Sequence, residues 1–444
     1  MNTIEARERA PASVKALLWR FHFYVGVLVA PLLILTSLSG ILYVFAPQIE
    51  EVAYARLLHV SPISGKPALE PDAQLAAFRQ ANPQARVSAF TPSFSPKRSS
   101  TVSFTRANGE PGSEHAGHEG HSTRGAESAP VYTAYLNPQT GETLGVLTEN
   151  DRFQLFIKRF HKTYMAGENG RILTELGTSW LMVLLITGFI LWFPNKARRI
   201  AGVWTPRLTG ASRLRWRDFH SILGMYLLLI TLVLCFTGLT WSRFSGNWRR
   251  SFQKAIGQES VFRFTPPKSA ITGDAAPISL AQAVKAAETA GATAPYKITL
   301  PQGKVGSYGI QTFNDPPFTD SLTVFVDQYS GKVLNKKGRG DTPPIARLLG
   351  MGVAFHEGRL FGLANQLLCA LGAGSIIFSV ISGLVMWTKR SPVGGFKAPK
   401  AMPDARIPLA LWLGFGVLGI FLPVAAASFV LIVLFDRLVL PLLT

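Results

Sequence analysis

Charged residues are scarce in this 444-residue chain, and cysteine is almost absent. Only 16% of the residues are charged, whereas 48% are hydrophobic. The two cysteines, Cys235 and Cys369, both lie inside apolar segments, where they are predicted to be packing residues and offer no obvious disulfide. A Cys-x-x-Cys-His motif is missing, which excludes covalent c-type haem. The long apolar runs end in basic clusters, and this indicates a polytopic membrane protein.

Acidic residues are also few, at 26 against 45 basic ones, so the formal net charge is +19. No nucleic-acid-binding motif accompanies this charge, and nucleic acid is not expected as a partner. The basic residues cluster in short segments between the apolar runs, as is typical of cytoplasmic loops. No Gly-x-Gly-x-x-Gly loop follows a predicted strand, so the sequence indicates no dinucleotide-binding domain.

Four apolar segments reach the roughly 20 residues that a helix needs to cross a bilayer. With the N-terminus in the cytoplasm, the basic loops lie inside and two large polar regions lie outside. The C-terminal run contains Pro423 and is predicted to be one kinked helix rather than a hairpin of two. The predicted order is cytoplasmic 1–20, span 21–46, external domain 47–171, span 172–193, cytoplasmic loop 194–218, span 219–241, external domain 242–364, span 365–387, cytoplasmic loop 388–406 and C-terminal membrane segment 407–444.

Each external region is predicted to be a small α+β domain with an antiparallel sheet. A helical segment comes first, strand-like segments follow, and residues 137–141 and 327–331 form turns between strands. The predicted fold is therefore an α-helical polytopic membrane protein with two external α+β domains. It is a tandem parallel repeat of helix, domain and helix, followed by a C-terminal membrane segment.

Four histidines at the edges of the spans carry the repeat. His22 and His220 are 198 residues apart, and His161 and His356 are 195 residues apart. The first two each precede a glycine by 18 residues, and the other two each precede a tryptophan by 31. Repeats with two spans each run parallel, so their pseudo-twofold axis lies along the membrane normal. That axis would place the two members of each pair at one depth, facing each other.

Two histidines at each depth are too few for zinc, which takes four protein ligands in structural sites and three plus water in catalytic ones. Haem iron needs only axial ligands from the protein. The sequence therefore predicts two non-covalent, bis-histidine haem b groups, held by His22 and His220 near the inner face and by His161 and His356 near the outer face. The alternative is four interfacial histidines that bind lipid headgroups. A helix break at Gly167 and Gly170 would bring His161 back to the interface.

Several basic residues near these histidines are candidate partners for haem propionates, although each equally suits an anchor to lipid headgroups. They are Arg20 and Arg217 inside, and Arg159, Lys162 and Arg359 outside. A separate cluster, His115, His118 and His121, lies in the segment HAGHEGH. His-rich tracts bind metals, so this segment is either a weak metal site or a polar insertion.

Two segments of the chain, FHFYVGVLVAPLLILTSLSGILYVF and HKTYMAGENGRILTELGTSWLMVLLITGFILW, enclose a domain that ends in YLNPQTGETLG. In this arrangement the chain resembles the PepSY-associated transmembrane family, which includes the PiuB and FoxB iron-uptake proteins. The resemblance covers nearly the whole chain. The fourth helix departs from it, because FHEGRLFGLANQ lacks the second glycine of the family's spacing. The resemblance implies a bacterial inner-membrane protein with periplasmic PepSY domains and a ferric-siderophore reductase activity that uses haem.

Three functions remain open from the sequence. The first is an oxidoreductase that carries electrons across the membrane to a ferric siderophore or another periplasmic iron chelate, with a separate cytoplasmic reductase or a quinol as donor. The second is a haem-free PepSY regulator or chaperone that binds proteins. The third is a transporter of the siderophore or of iron, which parallel repeats allow but which the near absence of charged residues in the spans disfavours.

Overall fold

A computed structural model of the chain describes residues 14–106, 130–193, 200–259, 265–270, 275–313, 321–390 and 409–434. The chain divides into two compact units. One consists of Met1–Val44, Lys158–Phe252 and Leu363–Thr444, and the other of Phe45–Ile157 and Gln253–Gly362. The described helices are α1 (Val14–Val44), α2 (Ala46–Ala53), α3 (Ala55–Leu58), α4 (Pro71–Ala81), α5 (Phe153–Thr163), α6 (Gly167–Trp192), α7 (Ser212–Tyr226), α8 (Leu228–Gly238), α9 (Phe244–Ala255), α10 (Leu280–Thr289), α11 (Pro344–His356), α12 (Leu363–Thr388), α13 (Leu409–Phe421) and α14 (Pro423–Leu434).

The first unit is helical and contains the membrane spans. Within the described chain, α1, α6 and α12 are each long and apolar enough to cross a membrane. Helix α1 packs against α6 and α12, and α12 also packs against α7 and α8. A membrane location follows from these helices, because a helix of more than about 20 apolar residues is stable in the hydrocarbon core.

The third predicted span is broken rather than continuous. Helices α7 and α8 meet at Leu227 with a bend of 62°, and they make up a fourth span when they are counted together. The sequence predicts one helix over 219–241, whereas α7 already begins at Ser212. Residues on both sides of the bend line one cavity, described below, so the bend wraps this span around that cavity.

A sharp break separates α5 from α6, at the position where the glycines of AGENG allow one. Tyr164 and Met165 both have positive φ angles, of 46° and 61°, and Gly167 follows with 54°. A side chain on Gly170 would overlap the carbonyl oxygen of Thr163, so only glycine fits there. The end of α5, which carries His161, is therefore held against the start of α6.

The C-terminal segment forms a helical hairpin. The rings of Trp412 and Phe429 have centroids 5.5 Å apart. Seventeen residues of continuous helix would separate them by about 25 Å. The chain reverses at Leu422, directly before Pro423, which has no N–H to continue the helix. The single kinked helix was therefore the wrong choice of the two alternatives.

In the residues that the structure describes, the second unit has eight antiparallel strands. They are β1 (Ala85–Thr91), β2 (Ser100–Arg106), β3 (Tyr132–Leu136), β4 (Thr143–Thr148), β5 (Tyr296–Thr299), β6 (Ser307–Thr312), β7 (Leu322–Asp327) and β8 (Val333–Gly338). Their order in the sheet is β4-β3-β2-β1-β5-β6-β7-β8.

The two predicted sheets are thus joined into one. Strands β1 and β5 pair, with Phe90 opposite Ile298, and both side chains are fully buried. An unpaired β1 or β5 edge would present open N–H and C=O groups, and this pairing removes both edges. Helices α4 and α10 contribute Phe78 and Leu280 to the same hydrophobic core. The carboxylate of Asp72 on α4 accepts hydrogen bonds from the first two N–H groups of α10, at 2.8 and 2.9 Å.

Candidate functional site

His22 on α1 and His220 on α7 face each other inside the helical unit. Their ring centroids are 6.4 Å apart and their ring planes are nearly perpendicular, at 81°. Two imidazoles that bind one metal ion from opposite sides, with metal–nitrogen bonds of about 2 Å, have ring centres about 6 Å apart. The spacing of these two rings therefore suits a pair of axial ligands.

The Nδ1 atom of each ring is held by a hydroxyl group on a neighbouring helix. His22 Nδ1 lies 2.9 Å from Thr187 Oγ1, and His220 Nδ1 lies 2.9 Å from Ser382 Oγ and 3.1 Å from the carbonyl oxygen of Ser379. A carbonyl only accepts, so His220 Nδ1 carries the hydrogen. The hydroxyl of Thr187 donates to the backbone carbonyl of Val183, at 2.9 Å, so its oxygen accepts from His22. Both rings consequently keep the lone pair on Nε2, the atom that binds a metal.

A cavity of about 1040 Å³ includes both histidines in its wall. Apolar and aromatic side chains form most of the lining, as in most cofactor sites. Five glycines, Gly26, Gly188, Gly202, Gly224 and Gly383, also line it. A Cβ added to Gly224 or Gly383 meets no atom within 4 Å and would project into open space. These positions leave room for a flat group between the helices.

Four cations also line this cavity: Lys15, Arg213, Arg217 and Arg390. The guanidinium of Arg390 lies over the ring of Trp19, 4.9 Å from its centroid. Its buried Nη1 has no hydrogen-bond partner among the described residues. A buried N–H of this kind is costly unless an acceptor reaches it, and a carboxylate is the acceptor that guanidinium groups bind best. Haem carries two such carboxylates, so the donors, the glycines and these cations together fit a haem.

Of the two inner cations predicted from sequence, the structure brings only Arg217 to the cavity. Arg20 precedes His22 by two positions, which places it about 200° around the helix from that ligand. Lys15, Arg213 and Arg390 were not among the residues predicted from the sequence to bind propionates. Helical periodicity contains a signal for Arg213, because Arg213, Arg217, His220 and Gly224 follow one another at steps of four, three and four on one face of α7.

Asp218 was also missed, and its role is to bind two arginines. Its buried carboxylate accepts from Arg207, at 2.7 and 2.8 Å, and from Arg217, at 2.9 Å. The hydrogen bond with Asp218 raises the pKa of Arg207 further above its ordinary value. Asp218 therefore compensates part of the charge of Arg217 and ties the preceding loop to the start of α7.

The pattern described as the PepSY-associated TM region matches residues 19–390 of the chain. This match covers the four histidines, all of the sheet-containing unit and most of the helical unit. The chain belongs to this family. No curated protein matches the chain in a sequence comparison. Membership in the family establishes a membrane protein that contains PepSY-type α+β structure.

The third histidine of this family member, His161, packs against α1. Its Nδ1 lies 3.0 Å from the carbonyl oxygen of Thr36 and 3.1 Å from Ser39 Oγ. A Cβ added to Gly40 would lie 3.2 Å from the ring of His161. The environment of His161 is similar to that of His22. The His22 ring also contacts a hydroxyl group, and a Cβ added to Gly188 would lie 3.2 Å from it.

His356 is the last residue of α11 and belongs to the sheet-containing unit, whereas His161 belongs to the helical unit. Their pairing as ligands stays a prediction. Among the outer cations, Arg359 Nε donates to Glu357 Oε2 at 2.8 Å, and the ammonium group of Lys162 lies 5.5 Å from the ring centre of Trp241. Arg159 is half-buried in the last turns of α5.

The histidines of HAGHEGH, His115, His118 and His121, lie outside the described residues. Within the described ranges, no three His, Cys, Asp or Glu side chains come together as a metal-binding group. The facing pair of His22 and His220 is therefore the arrangement that best supports a functional proposal.

Proposed function

We propose that the chain is an inner-membrane electron-transfer protein that binds two b-type haems and reduces a periplasmic ferric chelate, such as a ferric siderophore. The observation that carries this proposal is the facing pair of His22 and His220 across a glycine-lined cavity. A haem bound there would take up and release single electrons, and two protein nitrogens would fill both of its axial positions. The site suits electron transfer rather than oxygen binding for that reason.

Matched positions around the cavity support a tandem repeat. Gly26 and Gly224 are 198 residues apart, as are Lys15 and Arg213, and this is the separation of His22 from His220. Thr187 and Ser382, which accept from the two histidines, are 195 residues apart, as are Gly188 and Gly383. Ligands, their acceptors and the small wall residues thus occur in pairs, as a site on a pseudo-twofold axis requires.

The residues of this cavity have separate tasks in the proposal. His22 and His220 would hold the haem through Nε2, while Thr187 and Ser382 hold Nδ1. Arg390, Arg213 and Lys15 supply positive charge for the propionates, and Arg217 contributes less because Asp218 binds it. His161 and His356 are proposed to hold the second haem near the outer face. The two haems would then be two successive electron carriers within the membrane.

We infer the orientation of the chain in the membrane from the charge of its loops. The loop after α6 and the loop after α12 are rich in lysine and arginine, so we place both in the cytoplasm and the sheet-containing unit in the periplasm. A cytoplasmic reductase or a membrane quinol gives the electron to the inner site. The ferric ion of the chelate accepts that electron at the outer side and becomes Fe²⁺. Hard oxygen ligands bind Fe²⁺ more weakly than Fe³⁺, so reduction releases the iron.

The test uses purified protein in sealed lipid vesicles. Dithionite is trapped inside, and a membrane-impermeant ferric hydroxamate with an Fe²⁺-specific dye is added outside. Wild-type vesicles are expected to form the coloured Fe²⁺ complex faster than vesicles with His220→Ala protein or without protein. Equal rates in all three preparations would refute electron transfer by this chain. Uptake of the intact chelate into the vesicles would identify a transporter instead.

A further inference from the structure

The two inner histidines are not held equally, although they occupy matching positions. His220 Nδ1 has two acceptors, the hydroxyl of Ser382 and the backbone carbonyl of Ser379. His22 Nδ1 has one acceptor among the described residues, the hydroxyl of Thr187. A carbonyl that belongs to the backbone stays in place when a side chain is changed. The orientation of His22 therefore depends on a single side chain, whereas that of His220 does not.

Thr187 is itself fixed as an acceptor. It is buried, and its hydroxyl hydrogen is directed to the carbonyl oxygens of Val183 at 2.9 Å and Leu184 at 3.2 Å, one turn back on α6. Its oxygen lone pair is thereby turned toward His22. The next residue, Gly188, lies close to the same edge of the ring, because a Cβ there would lie 3.2 Å from His22 Cε1. Thr187 and Gly188 together restrict the rotation of the His22 ring.

We propose that Thr187 is the positioning residue of the inner electron-transfer site and that it sets the reduction potential of that site through His22. This inference rests on the proposed function, since it concerns a haem ligand. A histidine that donates its Nδ1 hydrogen to an acceptor becomes a more basic ligand, and a more basic ligand favours the oxidised metal. Loss of the acceptor makes the ligand less basic and raises the potential.

The histidine ring planes supply a second readout. They stand at 81° to each other, and perpendicular axial imidazoles give ferric haem a highly anisotropic low-spin paramagnetic resonance signal. Near-parallel imidazoles give an ordinary rhombic signal instead. Because Thr187 fixes the rotation of His22, its loss is expected to change this signal, even where the protein folds and retains haem.

The experiment compares three single variants of the full chain with the wild type. Thr187→Val keeps the shape of the side chain and removes the acceptor, Thr187→Ser keeps the acceptor, and Ser382→Ala removes a hydroxyl from His220 but leaves the Ser379 carbonyl. Each protein is purified with haem and titrated potentiometrically, and its resonance spectrum is recorded. Dissociation of haem to an apo-protein acceptor is measured alongside.

The inference predicts a more positive inner potential, an altered resonance signal and about 10-fold to 100-fold weaker haem retention for Thr187→Val. Thr187→Ser is expected to stay close to the wild type in all three, and Ser382→Ala to change them less than Thr187→Val does, because the Ser379 carbonyl still accepts from His220. An unchanged potential in Thr187→Val, or an equal shift in Ser382→Ala, would overturn the assignment while leaving the haem proposal intact. A wild-type protein that binds no haem would overturn both.

Discussion

At the scale of single residues, the inner site shows how neighbours decide which atom of a histidine is reactive. Hydroxyl groups on α6 and α12 hold Nδ1 of His22 and His220, so Nε2 of each ring is the atom left to bind a ligand. A buried imidazole without such partners would have no fixed tautomer and no fixed direction. Thr187 and Ser382 are thus as much part of the site as the histidines themselves.

Asp327 is the residue in the sheet-containing unit with the clearest pH dependence. Burial alone would raise its pKa, but hydrogen bonds from the N–H groups of Ser330, Tyr329 and Ala270 outweigh burial and lower the pKa to about 2. The ordinary value for aspartate is about 3.9. A pKa that is lower in the folded protein means that the ionised carboxylate stabilises the fold above about pH 4. That contribution is lost as the pH falls from about 4 to 2.

We therefore expect Asp327→Ala to lower the unfolding free energy by about 2 kcal/mol at pH 7, the usual cost of losing hydrogen bonds to a charged group. The difference between variant and wild type should shrink as the pH falls toward 2. Denaturant unfolding of the detergent-solubilised chain at several pH values measures this difference. A difference that stays constant from pH 7 to pH 2.5 would show that the charge of Asp327 does not stabilise the turn.

The candidate site could be predicted only in part at this scale. His22 and His220 occupy matching positions in the sequence repeat, so the sequence alone predicts that they pair. Lys15, Arg213 and Arg390 were not predicted as propionate partners, because the prediction included only cations within a few residues of a histidine along the chain. Residues that share a cavity lie one or two helical turns apart, or in a distant part of the chain, as Arg390 does just after the end of α12. The role of Thr187 depends on which hydroxyl reaches which ring, and only the packing of α6 against α1 defines that.

At the scale of helices and strands, apolar length predicts the spans well. The predicted segments 21–46, 172–193 and 365–387 correspond to α1, α6 and α12, whose limits differ from them by between one and seven residues. The bend at Leu227 and the pairing of β1 with β5 were not predicted, and the hairpin at Leu422 was the less favoured of two alternatives. Each depends on contacts between residues distant in the chain or on a local reversal. Neither composition nor hydrophobic length encodes such features.

The break between α5 and α6 gives the second prediction. Gly170→Ala is expected to lower the stability of the protein by about 3 kcal/mol, because a Cβ would overlap the Thr163 carbonyl and force apart a packed turn. Thermal unfolding of the purified chain measures the loss. Gly374→Ala in α12 is the matched control, since a Cβ there meets no atom within 4 Å and alanine favours a helix.

The two variants separate a specific overlap from a general effect of replacing glycine. A Gly170→Ala protein as stable as the Gly374→Ala protein would contradict the close approach of α5 to α6. Loss of stability in Gly170→Ala alone would support it. The position of His161 depends on this turn, so the same variant is expected to disturb the proposed outer haem before the proposed inner one.

At the scale of the whole molecule, the proposal depends on the sidedness of the chain. The proposal puts the basic loops on the cytoplasmic side of the membrane and the strands on the periplasmic side. Electrons would then enter near Arg390 and Arg213 and leave toward the sheet-containing unit. Each of these statements can be tested without knowing the chelate or the donor.

Cysteine labelling measures this sidedness directly. Cys235 and Cys369 are buried, at 4% and 3% exposure, so the native chain should react little with a membrane-impermeant maleimide. Glu142→Cys, exposed between β3 and β4, is expected to react in intact spheroplasts. Leu208→Cys, 72% exposed in the loop after α6, should react only after the membrane is permeabilised. The reverse pattern would place the sheet-containing unit in the cytoplasm.

The haem content of the purified protein tests the central proposal most directly. Wild-type protein expressed with sufficient haem is predicted to contain two haems per chain, with a Soret band and sharp α-bands on reduction. His22→Ala and His220→Ala should each lose one haem, the same one, and keep the spectrum of the other. A colourless wild type would contradict haem binding altogether. Loss of both haems, or of neither, in these two variants would contradict the pairing of His22 with His220.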